Sequence, residues 1–139
     1  MNVRVARAEL EKYIKDKEYL DEKLEDIERL TEQINKITAT YSDMPRGGST
    51  SKEELIAKKI ELEKETYGYL MDLLNQRAVI ERAIRNLEPG HRNVLDYIYI
   101  KGKTLTEYSE KIKYSYSQCK RILKDAYIEY AQERSKESN

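Results

Sequence analysis

A group of basic residues near the C-terminus is the part of this sequence whose residue types could bind a ligand. Between Lys111 and Lys124 there are five Lys or Arg residues and no Asp or Glu, although the whole chain has 26 residues of each sign. The five are Lys111, Lys113, Lys120, Arg121 and Lys124. A local excess of positive charge in a neutral chain is typical of a surface that contacts the phosphates of nucleic acid. We therefore expect a DNA-contacting face in this stretch.

The last helix of this stretch would present polar side chains with different roles toward a DNA groove. Arg121 and Gln118 can form paired hydrogen bonds with base edges, because Arg matches guanine and Gln matches adenine. Lys side chains suit phosphates, and the free backbone amides of a helix that starts after Ser115 can bind a further phosphate. The predicted DNA-binding residues are Lys113, Ser115, Tyr116, Ser117, Gln118, Lys120, Arg121 and Lys124.

Two short helices joined by a tight turn must position this face. Thr104 precedes Glu107 by three residues, which is a capping-box pattern, and Ser115 is a natural N-cap for the second helix. A set of apolar residues can hold the two helices together: Leu105, Tyr108, Ile112, Cys119 and Ile122, with Ser109 as the small residue at the crossing. A helix-turn-helix lays its second helix in the major groove, and this spacing predicts that motif.

Two long helices are predicted upstream, over residues 5 to 40 and 52 to 87. Their Leu, Ile and Tyr residues recur at heptad spacing, and at about 1.5 Å per residue each helix would be about 54 Å long. Pro45, Gly47 and Gly48 predict a loop over residues 41 to 51, and the Ser51–Glu54 pair predicts a helix that begins near Lys52. Equal lengths across a short loop predict an antiparallel hairpin.

The apolar stripes of these two helices are wider than a coiled-coil seam. Isoleucine and leucine residues flank the heptad positions on both helices, so a hairpin alone would leave apolar side chains uncovered. Either a second copy of the hairpin or the C-terminal helices must cover them. We expect a homo-oligomer, with a dimer favoured, through the N-terminal hairpin.

Pro89 and Gly90 end the second long helix and mark the predicted domain boundary. The predicted fold is all-α, with a helical hairpin over residues 1–88, a three-helix helix-turn-helix domain over 89–131 and a polar, frayed tail over 132–139. Residues 91–100 have both strand-like and helical features, but their context favours a helix that Gly102 ends as a C-cap.

The composition argues against several other classes of protein. The chain has one Cys, one His and no phosphate-binding loop, so we predict no enzyme activity, no cofactor and no metal site. Cys119 is expected to be a core residue and His91 a helix-start residue. The twelve Tyr residues replace Phe and Trp, which are absent. No apolar run approaches the length of a membrane span, and we expect a cytoplasmic protein.

The stretch from Arg92 to Ala126 resembles the region-four helix-turn-helix of bacterial sigma factors. The positions that match its Leu, Glu, Leu, Ser and Ala are Leu105, Glu107, Ile112, Ser115 and Ala126, whereas Lys113 stands where the pattern has a turn glycine. Together with the charged N-terminal region and the Met-Pro-x-Gly-Gly-Ser loop, the layout is similar to phage late-operon transcription regulators of the RinA/ArpU type. The resemblance implies a regulator that binds double-stranded DNA and meets RNA polymerase at a promoter, in the cytoplasm of a bacterial host cell and associated with its nucleoid.

Other interpretations of the same residues stay open at this point. A small-terminase-like subunit for phage DNA packaging also joins a helix-turn-helix to oligomerising helices, and a ring-sized oligomer would favour it. A protein that contacts RNA polymerase without binding DNA is a further alternative, which persistent failure to bind DNA at low salt would favour. The basic stretch could also be a solvated helix face without a ligand.

Overall fold

The computed structural model describes residues 1–40 and 49–137, and within these ranges the regular structure is entirely helical. The helices are α1 Val3–Thr40, α2 Ser49–Arg85, α3 Pro89–Leu95, α4 Leu105–Ile112 and α5 Tyr116–Glu137, and Asp96–Ile100 continues α3 as a π-helix. The predicted all-α class is confirmed. Residues 41–48 of the predicted loop lie outside the described residues, and α2 begins at Ser49, before the predicted start at Lys52. None of the helices in the described ranges combines the length and hydropathy that a bilayer crossing requires.

The chain divides into two compact units that do not follow the predicted boundary at Pro89. One unit, here called the core unit, comprises residues 1–15 and 73–139, and the other, the paired-helix unit, comprises residues 16–72. The start of α1 and the end of α2 therefore belong with the C-terminal helices, although the sequence pattern had assigned all of residues 1–88 to a hairpin.

Nearly all of the buried side chains belong to the core unit. The start of α1 contributes Leu10 and Tyr13, and the end of α2 contributes Ile80, in each case from the predicted heptad positions. Tyr130 of α5 is fully buried, and its hydroxyl donates to Glu9 Oε1 at 2.6 Å. Buried tyrosines need such partners because their hydroxyls are removed from water. Tyrosine thus fills the core of a chain that lacks Phe and Trp.

α3 and its π-helical continuation occupy the ambiguous stretch from His91 to Ile100, which is helical as expected. Pro89 lies in the first turn, where its missing N–H costs no hydrogen bond. At the other end Gly102 has φ 71°, and the Lys103 N–H donates to the Tyr97 carbonyl at 3.1 Å. This left-handed glycine ends the helix, as its sequence position predicted.

α5 is longer than the sequence predicted, because residues 132–137 continue the helix where a frayed tail was expected. Their polar side chains have partners on the long helices. Arg134 donates to Glu9 of α1 at 2.8 and 3.2 Å, and Asn86, just after α2, donates to Glu133 at 2.9 Å. These contacts join residues that are far apart in sequence, so local polarity alone could not reveal them.

The paired-helix unit consists of residues 16–40 of α1 and 49–72 of α2 within the described ranges. The rings of Tyr19 and Tyr69 meet edge to face with centroids 5.2 Å apart, and Lys23, one turn later on α1, interacts with Glu65, one turn earlier on α2. The two segments therefore run antiparallel. Among the described side chains of this unit only Leu20 and Thr66 are buried.

Candidate nucleic-acid interface

α4 begins with the capping box that the sequence predicted. The Glu107 N–H donates to Thr104 Oγ1 at 3.1 Å, and the Thr104 N–H donates to Glu107 Oε1 at 3.3 Å. The two bonds satisfy backbone donors that a helix start would otherwise leave unpaired. The start of α4 is therefore fixed by local sequence.

Lys113 forms the turn between α4 and α5 in a left-handed conformation, with φ 60° and ψ 35°. Its N–H donates to the Ser109 carbonyl, and the Tyr114 N–H donates to the same carbonyl at 3.2 Å. The resemblance to the sigma-factor pattern predicts a glycine at this position, because glycine adopts positive φ without steric cost. Lys113 adopts this left-handed conformation and ends α4.

α5 begins with a second capping box, of which the sequence predicted only the Ser115 N-cap. The Gln118 N–H donates to Ser115 Oγ at 3.2 Å, so Ser115 is the N-cap as predicted. In return the Ser115 N–H donates to Gln118 Oε1 at 3.0 Å, and the Ser115 hydroxyl donates to the same oxygen at 3.1 Å. Gln118, predicted as a base-reading residue, thus also holds the helix start through its carbonyl oxygen.

The predicted apolar residues lie between α4 and α5. Tyr108 and Cys119 are buried, and Ser109, the small residue, is also buried and donates to the Thr106 carbonyl at 2.9 Å. The remaining members, Leu105, Ile112 and Ile122, are half-buried. Burial raises the pKa of the Cys119 thiol, which disfavours the thiolate. Cys119 is therefore a packing residue, as expected.

All eight predicted DNA-binding residues are exposed. Lys113, Lys120, Arg121 and Lys124 have no carboxylate partner within the described part of the chain, whereas some basic residues elsewhere are paired, such as Arg77 with Glu81 at 2.7 Å. Lys120 instead lies over the Tyr116 ring, with its Nζ 5.9 Å from the centroid. The exposed surface of α5 therefore carries three cations, Lys120, Arg121 and Lys124, that form no ion pair with a described carboxylate.

A groove of about 550 Å³ runs beside α5, and one wall of it comes from the start of α1. Lys120, Arg121 and Lys124 line it together with Val3 and Arg7 of α1. The Arg7 guanidinium lies 5.4 Å from the Tyr127 ring centroid, and its Nε donates to Glu11 Oε1 at 2.9 Å. The sequence did not reveal Arg7, because more than a hundred residues separate it from the α5 residues that line the groove.

The two units carry opposite net charges. The core unit has 17 Lys or Arg and 11 Asp or Glu residues, a net charge of +6, whereas residues 16–72 have nine and 15, a net charge of −6. Both the basic face of α5 and the groove belong to the positive unit. A long-range attraction for polyanions is therefore a property of the core unit.

Glu88, His91 and Glu129 are the residues in the described ranges whose side chains could share a metal ion. His91 Nδ1 lies 3.3 Å from Glu129 Oε1 and 3.8 Å from Glu88 Oε2, and the three ligand atoms lie within 4.8 Å of one another. Glu129 also accepts the Glu88 N–H at 2.7 Å. These contacts attach the first turn of α3 to α5, and His91 is at the helix start as expected.

Comparison with known proteins gives no match to this chain, whether by family model, by similarity to curated proteins or by similarity to solved structures.

Proposed function

We propose that this protein binds double-stranded DNA in a sequence-specific manner and regulates transcription, as the phage late-gene regulators that it resembles do. In this proposal α4 and α5 act as a helix-turn-helix, and α5 is the helix that enters the major groove. The observation that carries the proposal is the exposed basic face formed by Lys120, Arg121 and Lys124, which form no ion pair with a described carboxylate, on a helix whose start is fixed by a capping box.

The spacing of residues on α5 supports a division of roles. Ser117, Arg121 and Lys124 lie four and three residues apart, so they share one exposed face of the helix. Arg121, with its planar pair of donors, is the residue suited to a guanine edge, and Lys124 is suited to a phosphate. This face would supply both the contact that reads a base and the positive charge that attracts the DNA phosphates.

The groove beside α5 supports an additional phosphate contact. Arg7 lines the same groove as Lys120 and Lys124, and its contacts with Glu11 and Tyr127 restrict its guanidinium. A major groove is bounded by two phosphate strands. Cations on either side of a helix that lies in the groove can therefore contact phosphates. In this proposal Arg7 contacts the strand on the α1 side.

The proposal is tested by selecting bound sequences from a random pool of duplex DNA and measuring affinity at several salt concentrations. We expect one sequence motif to be enriched, and we expect its affinity to fall as salt rises because bound phosphates release counterions. Lys124→Ala should weaken binding to all sequences and reduce the salt slope by about 1.

Lys136→Ala is the matched control, because Lys136 is an exposed lysine of the same helix that lies outside the proposed face and pairs with Glu133. It should leave affinity and salt slope nearly unchanged. If wild-type protein binds no duplex at low salt, or if both variants behave alike, the proposed function is wrong.

A further inference from the structure

Two exposed tyrosines lie where α4 and α5 meet. Tyr114 is 53% exposed and Tyr116 is 50% exposed, whereas the other tyrosines of the core unit are buried or half-buried. A tyrosine ring in solvent offers a large, rigid surface that loses little conformational freedom when a ligand covers it. These two rings are therefore the aromatic groups of the core unit that a partner can contact.

The position of Tyr116 on the helix is fixed by local structure. It is the first residue of α5, directly after the Ser115 N-cap, and the bonds between Ser115 and Gln118 hold this turn. Lys120 lies one turn further along the same side of the helix, with its Nζ 5.9 Å from the centroid of the Tyr116 ring. A ring that is held in this way can discriminate between ligands, because binding costs little further ordering.

The groove beside α5 is lined by apolar as well as cationic side chains. Tyr116 and Leu123 of α5, Leu105 of α4 and Val3 of α1 line it together with Arg121. The two leucines are half-buried, and Val3 is 38% exposed. Phosphates account for the cations, but removal of apolar surface from water is favourable only where the ligand also has an apolar group. The lining therefore fits a ligand that places an apolar group beside its negative charges.

Duplex DNA has such a group in its major groove. Thymine presents a methyl group at C5 there, whereas guanine and adenine present polar atoms and cytosine presents an amino group. The cations of the groove complement the phosphates, since Lys120, Arg121 and Lys124 form no ion pair with a described carboxylate. Charge and apolar surface thus match the same ligand.

We propose that the Tyr116 ring contacts the methyl group of a thymine and that Leu105 and Leu123 form the apolar surroundings of this contact. The inference rests on the proposed function, because it requires α5 to lie in the major groove. Tyr116 and Arg121 are five residues apart. This separation is about 7.5 Å along the helix axis, or about two base-pair steps of about 3.4 Å. The thymine should therefore lie about two base pairs from the guanine assigned to Arg121.

Replacement of thymine by deoxyuridine in the selected duplex tests the inference, because it removes the methyl group and keeps the base pair. Each thymine of the site is replaced in turn, and affinity is measured for the full chain. We expect one replacement to weaken wild-type binding about fourfold, the value of one buried methyl-sized group. Replacements outside the selected site should have no effect.

Three variants assign this methyl preference to one side chain. Tyr116→Ala should bind the thymine and deoxyuridine duplexes equally well, because the ring is gone, whereas Tyr116→Phe should keep the fourfold preference. Tyr114→Ala is the matched control and should also keep it, since Tyr114 is equally exposed but is not among the described residues that line the groove. Circular dichroism should show the same helix content in each variant. A preference that persists in Tyr116→Ala, or that is lost in Tyr114→Ala, would overturn the inference.

The same titrations separate failure of the inference from failure of the proposed function. A wild-type chain that binds its selected duplex but distinguishes none of the thymines from deoxyuridine overturns the inference alone. A chain that binds no duplex overturns both. Binding of an acidic, leucine-containing peptide in place of duplex DNA would assign the groove to a protein partner and would also overturn both.

Discussion

Gln118 has a structural role that limits what it can do at a DNA surface. Its carbonyl oxygen accepts from the Ser115 N–H and the Ser115 hydroxyl. A paired contact with adenine needs both the oxygen and the nitrogen of the amide, so it would compete with the capping box. Arg121 has no competing partner of this kind among the described residues, and it is the stronger candidate for reading a base.

Substitutions at these two positions should separate stability from specificity. Gln118→Ala should lower the free energy of unfolding by about 1 kcal/mol, the usual value of a helix cap, and leave base preference unchanged. Arg121→Ala should leave stability unchanged but weaken binding by about 1–3 kcal/mol and relax preference at one base. Urea unfolding and binding to single-base variants of the selected site measure both effects. A shift in base preference with Gln118→Ala would assign it a reading role.

Lys113 combines a left-handed backbone with a candidate phosphate contact. A left-handed conformation costs a residue with a Cβ about 1–2 kcal/mol relative to glycine. The lysine therefore lowers stability at a position where its charge has no acidic partner in the described chain.

Lys113→Gly should raise the free energy of unfolding by about 1 kcal/mol and at the same time weaken DNA binding at low salt. Lys113→Asn is the control, because Asn tolerates this conformation and removes the charge. Both variants should lose the same amount of binding. If the glycine variant binds DNA as tightly as the wild type, Lys113 makes no phosphate contact.

Three buried phenols join α1, the π-helical end of α3 and α5. Tyr99 and Tyr127 share a hydrogen bond, and Tyr130 donates to Glu9. Burial raises the pKa of each hydroxyl above its ordinary value near 10.0, and the bond to Glu9 raises that of Tyr130 further. The folded protein therefore holds these groups neutral at a pH where the unfolded chain ionises them.

The sign of the resulting pH dependence follows from these raised pKa values. Their contribution is fully present below about pH 10 and decreases as pH rises above it, because only the unfolded state then loses protons. Tyr130→Phe should lower stability at neutral pH by about 1–3 kcal/mol, since Glu9 loses a charged hydrogen bond. It should also make the alkaline loss less steep. Thermal unfolding from neutral pH to pH 11 measures both, and an unchanged alkaline slope would contradict the assignment.

The sequence predicted correctly those helix ends that depend only on neighbouring residues. The Thr104–Glu107 box, the Ser115 cap and the left-handed Gly102 are determined by residues within one turn, and each is present. The continuation of α5 to Glu137 was not predictable in this way, because Arg134 is stabilised by Glu9, at the other end of the chain. For the same reason Arg7 could not be assigned to the groove beside α5.

The order of residues along the chain does not show how charge is distributed between the two folded units. Counted along the sequence, residues 88–139 have a surplus of two positive charges, but the core unit that the fold assembles has six. The difference comes from residues 1–15 and 73–87, which join the C-terminal helices. Heptad spacing predicted long helices, but it could not show which turns of each helix belong to which unit.

The sequence predicts a dimer through the N-terminal hairpin, and such a dimer would prefer a two-fold DNA site. A dimer that contacts two half-sites gains avidity, so if exposed Tyr67 lies in the dimer contact, Tyr67→Asp should weaken binding to a palindromic site by about a hundredfold. Its affinity for an isolated half-site should stay that of the wild type, because Tyr67 lies in the paired-helix unit. Titration of both duplexes measures this, and equal losses on the two would mean that Tyr67→Asp also damages the core unit.

The opposite net charges of the two units also determine how the protein behaves during purification. A heparin column presents a dense polyanion, so the core unit should retain the protein although its overall charge is zero. Elution in strong brine removes that attraction. The eluted fractions should therefore contain protein free of bound polyanion.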